Sequence, residues 1–118
     1  MKFNQKNTTM ILGLSALVAF TGCQRLVDLT VGAFIDCDEH YLENPKHDAC
    51  YTGVNYANED AAIFDLSGDK NAIRQRVANA SSRAKYKCEN IYGFFDARRG
   101  ACKDGVNFFK RRAENALL

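Results

Sequence analysis

The chain lacks the motifs that announce common enzyme chemistry. It has no glycine-rich phosphate cradle, no His-Glu-x-x-His zinc motif and no Gly-x-Ser-x-Gly elbow. It also has no Cys-x-x-Cys-His segment, which leaves covalent c-type haem attachment without support. No hydrophobic run is long enough to cross a bilayer. The longest, Met10 to Phe20, has eleven residues, against about 20 for a spanning helix. Carboxylates are present in one cluster, Asp36, Asp38, Glu39 and Glu43, but they precede a turn and read as a solvated helix face rather than an acid–base pair. A non-enzyme without a cofactor is therefore expected.

What the N-terminus does carry is an ordered sequence of signals. Lys2 and Lys6 make a positive start, Met10 to Phe20 an apolar core, and Thr21-Gly22 supply small residues before Cys23. Phe20-Thr21-Gly22-Cys23 resembles the lipobox of bacterial lipoprotein signals, with Phe20 in the place usually held by leucine. The resemblance covers only residues 1–23. It implies cleavage after Gly22, thioether lipidation of Cys23 with acyl chains such as palmitate, and a membrane partner reached through that lipid. Each buried acyl CH₂ contributes about 0.8 kcal/mol, so two or three chains anchor a protein durably. Gln24, in a place where aspartate favours inner-membrane retention, implies the outer membrane, facing the periplasm.

Residues 1–22 are thus read as a signal peptide and 23–118 as a single small domain. A domain of that size has a marginal core, and an exported one meets an oxidising compartment. Cys37, Cys50, Cys88 and Cys102 then read as two disulfides.

An internal repeat indicates how they pair. Cys37, Tyr41, Ala49-Cys50 and Gly53-Val54-Asn55 match Cys88, Tyr92, Ala101-Cys102 and Gly105-Val106-Asn107, and Tyr56 falls on Phe108. Each unit reads as a helical hairpin, over about 24–66 and about 69–117. Asn44 caps a helix beginning at Pro45, so the preceding helix must end near Leu42. In the second unit Gly93 offers a left-handed stop and Asp96 a cap, and Ser67-Gly68-Asp69 separates the units. Apolar residues recur at helical spacing along Cys50, Val54, Ala57, Ala61 and Phe64. They do so again along Ile73, Val77, Ala80, Ala84, Cys88 and Ile91, and along Cys102, Val106, Phe109, Ala113 and Leu117. Val27, Thr30, Phe34, Cys37 and Tyr41 keep the spacing less cleanly. The expected fold is an all-α, up-down four-helix bundle made of two related hairpins.

In such hairpins Cys37 lies level with Cys50, and Cys88 with Cys102, so these pairs are the expected bridges. Gly53 and Gly105 recur three residues after a cysteine on the same face. Because interior glycine costs a helix about 1 kcal/mol relative to alanine, their recurrence points to close backbone approach. A competing arrangement is a zinc shell of Cys37, His40, His47 and Cys50. The second unit has Ile91 and Arg99 where the histidines would align, so the cysteines serve a purpose that does not need them.

Charge is divided between the halves. From Cys23 to Asp69, ten acidic residues face two basic ones, a net of −8, and from Lys70 onward twelve basic face four acidic, a net of +8. One consequence is attraction between the hairpins. Another is a basic surface of Arg98, Arg99, Lys103, Lys110, Arg111 and Arg112 for an anionic envelope component or an acidic protein. Nucleic acid is not an expected partner of an exported lipoprotein. Phe94-Phe95, adjacent in the second turn, cannot both enter one buried stripe, so at least one is a candidate anchor for a partner, while closure of the bundle end is the structural role expected of the pair. The functional expectation is a binding or scaffolding module of the cell envelope. Metal binding through the first hairpin, and inhibition or exclusion of an incoming enzyme, phage or plasmid, are the alternatives.

Overall fold

The computed structural model of the protein describes residues 14–64 and 68–117, with side chains over 26–63 and 68–117. Residues 1–13 of the expected signal lie outside the described residues, and so do the side chains of residues 14–22 and of Cys23. Four helices follow in order, α1 (Leu14–His40), α2 (Lys46–Phe64), α3 (Lys70–Ile91) and α4 (Ala97–Leu117).

Local chemistry sets most of the boundaries. Asp69 caps α3 by accepting from the amide of Ala72 at 2.9 Å. Gly68 precedes it at φ +110°, a conformation that glycine adopts without a Cβ penalty. Asp96 accepts from the amide of Arg98 at 2.9 Å and opens α4. The first turn departs from expectation. α1 ends at His40, and α2 starts at Lys46 rather than Pro45, with the Asn44 carboxamide accepting from the amide of Asp48 at 3.1 Å. Gly93 is not a left-handed stop either. α3 ends because Tyr92 turns extended (φ −117°, ψ 131°) while its amide still donates to the Cys88 carbonyl.

Both expected disulfides form. Cys37–Cys50 joins α1 to α2 with Cα atoms 5.8 Å apart, and Cys88–Cys102 joins α3 to α4 at 5.7 Å. On the chain-entropy model, closing 13 and 14 residues contributes roughly 3 kcal/mol per bridge. That contribution matters because the core is built largely from small side chains. Ala33, Ala57, Ala61, Ala80, Ala84 and Ala113 are all buried, and each brings little apolar area.

Small side chains bring the helices close. α2 and α4 form the central pair, with α1 and α3 flanking it, and α1 and α3 do not touch each other among the described residues. At the crossing, a Cβ on Gly53 would stand 1.8 Å from the Cys102 carbonyl oxygen, and a Cβ on Gly105 would stand 2.0 Å from that of Cys50. The contact is reciprocal, which gives the hairpins an approximate two-fold relation.

α1 turns its faces differently from the expected stripe. Leu29, Gly32, Ala33 and Cys37 are buried, whereas Val27 is 51% exposed. Ile91, expected on the buried face of α3, is also exposed. The reason is position, since Val27 lies toward the outside of a flanking helix and Ile91 at the end of one, where the central pair covers them only in part.

Gly53→Ala and Gly105→Ala should each destabilise the fold by about 3 kcal/mol, the upper end of overpacking costs. Gly100→Ala, where a Cβ meets nothing within 4 Å, should instead stabilise by roughly 0.5–1 kcal/mol through helix propensity. Opposite shifts in the thermal unfolding midpoint check the pair.

Candidate functional site

The candidate residues fall into three places, namely the interface between the hairpins, the first turn and the second turn. At the interface the two halves meet through ion pairs arranged by the repeat. Each α3 residue stands 51 positions after its α1 counterpart, and each α4 residue 52 after its α2 counterpart. Asp36 on α1 corresponds to Lys87 on α3, and Asp60 on α2 to Arg112 on α4. Arg112 donates through Nε and Nη2 to both Asp36 oxygens at 2.8 Å, a bidentate pair. In the twin location Lys87 Nζ lies 3.2 Å from Asp60 and 3.9 Å from Glu59. The same contact occurs twice with its charges exchanged.

Electrostatics at the two locations differ in burial. Asp60 is fully buried, and Arg83 Nε adds a second donor at 3.4 Å. Its other oxygen, Oδ2, is buried with no hydrogen-bond partner among the described residues. Asp36 is part-exposed, and its hydrogen bonds from Arg112 hold its carboxyl below the usual carboxylate range. The aliphatic part of Arg112 lies against Gly32, where a Cβ would come within 2.7 Å of Cδ.

The remaining cations of the expected basic surface are also engaged. Arg98 holds Asp96 at 2.6 Å, Arg99 and Lys103 hold Glu89, and Lys110 holds Glu114 at 3.3 Å. Arg111 stacks over Phe108 with 5.4 Å to the ring centroid. The charge is thus matched mostly within the chain, and the attraction between hairpins accounts for Arg112 directly.

In the first turn the structure separates the four residues of the alternative metal shell. Cys37 and Cys50 are bonded to each other, which uses both thiols. His40 stacks edge-on with Tyr41 and Phe108, and His47 turns to Asp38, with Nε2 at 2.6 Å from its Oδ1. No group of three or more metal-ligating side chains occurs among the described residues. Asp38 also accepts from the Tyr51 hydroxyl at 2.7 Å, and this bond, followed by the one to His47, lowers its pKa. Tyr41 donates to Asp104 on α4. Burial first and that carboxylate second push the Tyr41 hydroxyl up to about 12.

The second turn is different in kind. Phe94 is 77% and Phe95 95% exposed, with their rings edge-to-face at 5.0 Å. The Arg99 guanidinium lies 5.4 Å over Phe94, and that of Arg98 4.9 Å over Tyr92, geometry suited to cation–π attraction. Gly93 and Gly100 beside them have open space where a side chain would be. The result is an uncovered aromatic tip edged by arginines. α1 pairs with both α2 and α4 in reversed order, as Cys37–Cys50, Tyr41–Asp104 and Asp36–Arg112 show. The start of α4, and with it this tip, therefore lies toward the C-terminal end of α1 and away from Cys23.

Sequence reasoning singled out the second turn, read Asp36 as part of a solvated helix face although it pairs with Arg112, and missed Asp60 and Lys87. The signal was present in the repeat, as an exchange of sign at matched positions.

Two outcomes follow from this geometry. Lys87→Met should destabilise by about 1–3 kcal/mol, because the buried Asp60 carboxylate loses a charged donor, measurable by denaturant unfolding. The hydrogen bond to Asp38 raises the pKa of His47 above its ordinary 6.5. The stabilising contact is then fully present below the unfolded value and fades as pH rises through the folded one. An NMR titration should place His47 above 6.5, and Asp38→Asn should lower it. Comparison with protein-family models, with curated proteins and with solved structures gives no match, so the site is read from its own geometry.

Proposed function

We propose that the protein is a lipid-anchored lipoprotein of the bacterial cell envelope that acts as a non-enzymatic binding or scaffolding module. In this reading Cys23 carries the acyl chains, the outer membrane holds them, and the helical domain faces the periplasm. The observation that supports it most is the exposure of Phe94 and Phe95 on a stapled turn. Two large apolar rings left in water cost solvation free energy that burial against a partner recovers, at roughly 25 cal/mol per Å².

Rigidity supports the same reading. The turn lies between Cys88 and Cys102, which are joined, so little ordering entropy is lost when the tip engages. Arginine beside aromatic rings is the usual composition of an interface centre. About 25 Å of helix, at 1.5 Å per residue, separates Cys23 from the end of α1. The tip then stands clear of the anchoring bilayer, within reach of an envelope protein partner.

Inhibition or exclusion of an incoming enzyme, phage or plasmid would use this same tip, and the identity of what it touches separates the two uses. With a photocrosslinker beside the tip in intact cells, the native protein should give a discrete adduct. Phe94→Ala combined with Phe95→Ala should abolish it while helicity by circular dichroism is unchanged. An adduct that survives the double substitution rules the tip out.

A further inference from the structure

The outer face of α1 carries apolar side chains that the fold does not use. Val27, Val31 and Ile35 stand one turn apart at successive i, i+4 positions and are 51%, 50% and 47% exposed. Ile63, near the end of α2, is 67% exposed. A shallow groove of about 240 Å³, lined by Leu26, Val27, Thr30, Val31, Asn58 and Ala62, joins the two helices on this side. Since Cys37 and Cys50 set α1 and α2 in reversed order, Ile63 and Ala62 fall near the N-terminal part of the stripe.

The repeat supplies an internal control for what packing demands. α3 makes the same kind of contacts as α1, yet Val27, Val31, Ala62 and Ile63 have as twins Ala78, Ser82, Glu114 and Asn115. Ile35 alone has a large counterpart, Tyr86. The buried positions behave otherwise, since Leu29, Ala33 and Cys37 match Ala80, Ala84 and Cys88, all buried. So the inward faces follow one rule and the outward faces diverge. Hairpin 1 has apolar groups outside where hairpin 2 has mostly polar ones.

What distinguishes hairpin 1 is its neighbour in the chain. Cys23 lies in α1 one i, i+4 step of sequence before Val27, the first residue of the Val27, Val31 and Ile35 stripe. A lipid on Cys23 would place the bilayer at the head of that stripe. We propose that Val27, Val31, Ala62 and Ile63 seat in the lipid surface of the membrane that holds the anchor, fixing how the domain stands on it. The inference rests on the lipid-anchor reading and names the surface that meets the membrane, at the opposite end from the aromatic tip. The acidic balance of this hairpin, with Asp28 exposed beside the stripe, favours insertion of apolar side chains over attraction to anionic headgroups.

The chain has no tryptophan, so a single one reports its own surroundings. The protein carrying Val31→Trp is purified with its N-terminal modification and reconstituted in phosphatidylcholine vesicles, with and without brominated acyl chains. Ser82→Trp, the twin position on α3, is the control, and Val27→Trp is an independent probe of the stripe. Mass spectrometry of the N-terminal peptide of the same samples reads acylation of Cys23. The expected result is an acylated peptide, blue-shifted emission from residues 27 and 31, and loss of most of that emission with brominated lipid, while residue 82 keeps its own. Acylated protein whose residues 27 and 31 are quenched no more than residue 82 overturns the inference and leaves the anchor standing. Blue-shifted emission without quenching assigns the stripe to a second copy or another protein, and also overturns it. An unmodified Cys23 overturns the anchor reading and the inference with it.

Discussion

The structure depends on one contact, made twice. Gly53 lies against the Cys102 carbonyl, and Gly105 lies against that of Cys50. Backbone meets backbone there with no side chain between, so α2 and α4 approach as closely as helices can. This fixes the distance at which everything else must fit. Alanine suffices to fill Ala57, Ala61 and Ala113 because the gap is narrow, and larger groups such as Val54, Val106 and Phe109 complete the layer. The cysteines belong to the same constraint. Their carbonyls receive the glycines while their sulfurs hold α1 and α3 in place, so each staple acts directly beside the crossing.

Close packing does not decide which hairpin pairs with which, because the two units are copies. Charge decides that. Two copies of the first hairpin, arranged in the same way, would set Asp36 against Asp60, and two copies of the second would set Lys87 against Arg112. Each like-charged pairing is unfavourable, and only the mixed arrangement joins opposite signs at both locations. The buried member of the set, Asp60, carries the sharper discrimination, because an unmatched charge costs most where water is excluded. The opposite charge of the two halves is thus used, at Asp36, Asp60, Lys87 and Arg112, to pair unlike copies. The aromatic tip and the outer stripe of α1 lie outside that pairing, which is why they remain available for contacts beyond the chain.

Much of the architecture was legible in the amino-acid order. The repeat of cysteine, tyrosine and Gly-Val-Asn gave the hairpins and both bridges, and the periodic apolar residues from Cys50 to Ala61 and from Cys102 to Ala113 matched the buried faces of α2 and α4, the side chain of Phe64 lying outside the described residues. Errors fell where several local solutions compete. Gly93 was read as a left-handed stop, but an extended Tyr92 ends α3 equally well. Val27 was placed inward because valine fits an apolar stripe, although α1 flanks the central pair and is covered on one side only. The central pairing of α2 with α4 was not evident from short connections, since connection length constrains sequence neighbours alone. The tip was foreseen only in part: two adjacent phenylalanines fit no single helical stripe, which suggests one outward ring, but their reading as closure of the bundle end fails because both are exposed. The exchange of charge at Asp36, Asp60, Lys87 and Arg112 was visible only after the helices had been set side by side.

Neither sulfur bridge crosses from one hairpin to the other. Apart from the short connection between α2 and α3, the halves adhere as two associating molecules would, through a crossing, the ion pairs at two locations and the Tyr41–Asp104 hydrogen bond. A nick in that connection would leave two separately cross-linked pieces with complementary faces and no covalent bond between them. Cohesion of the nicked form would then obey mass action, so the molecule is in effect a heterodimer written on one strand.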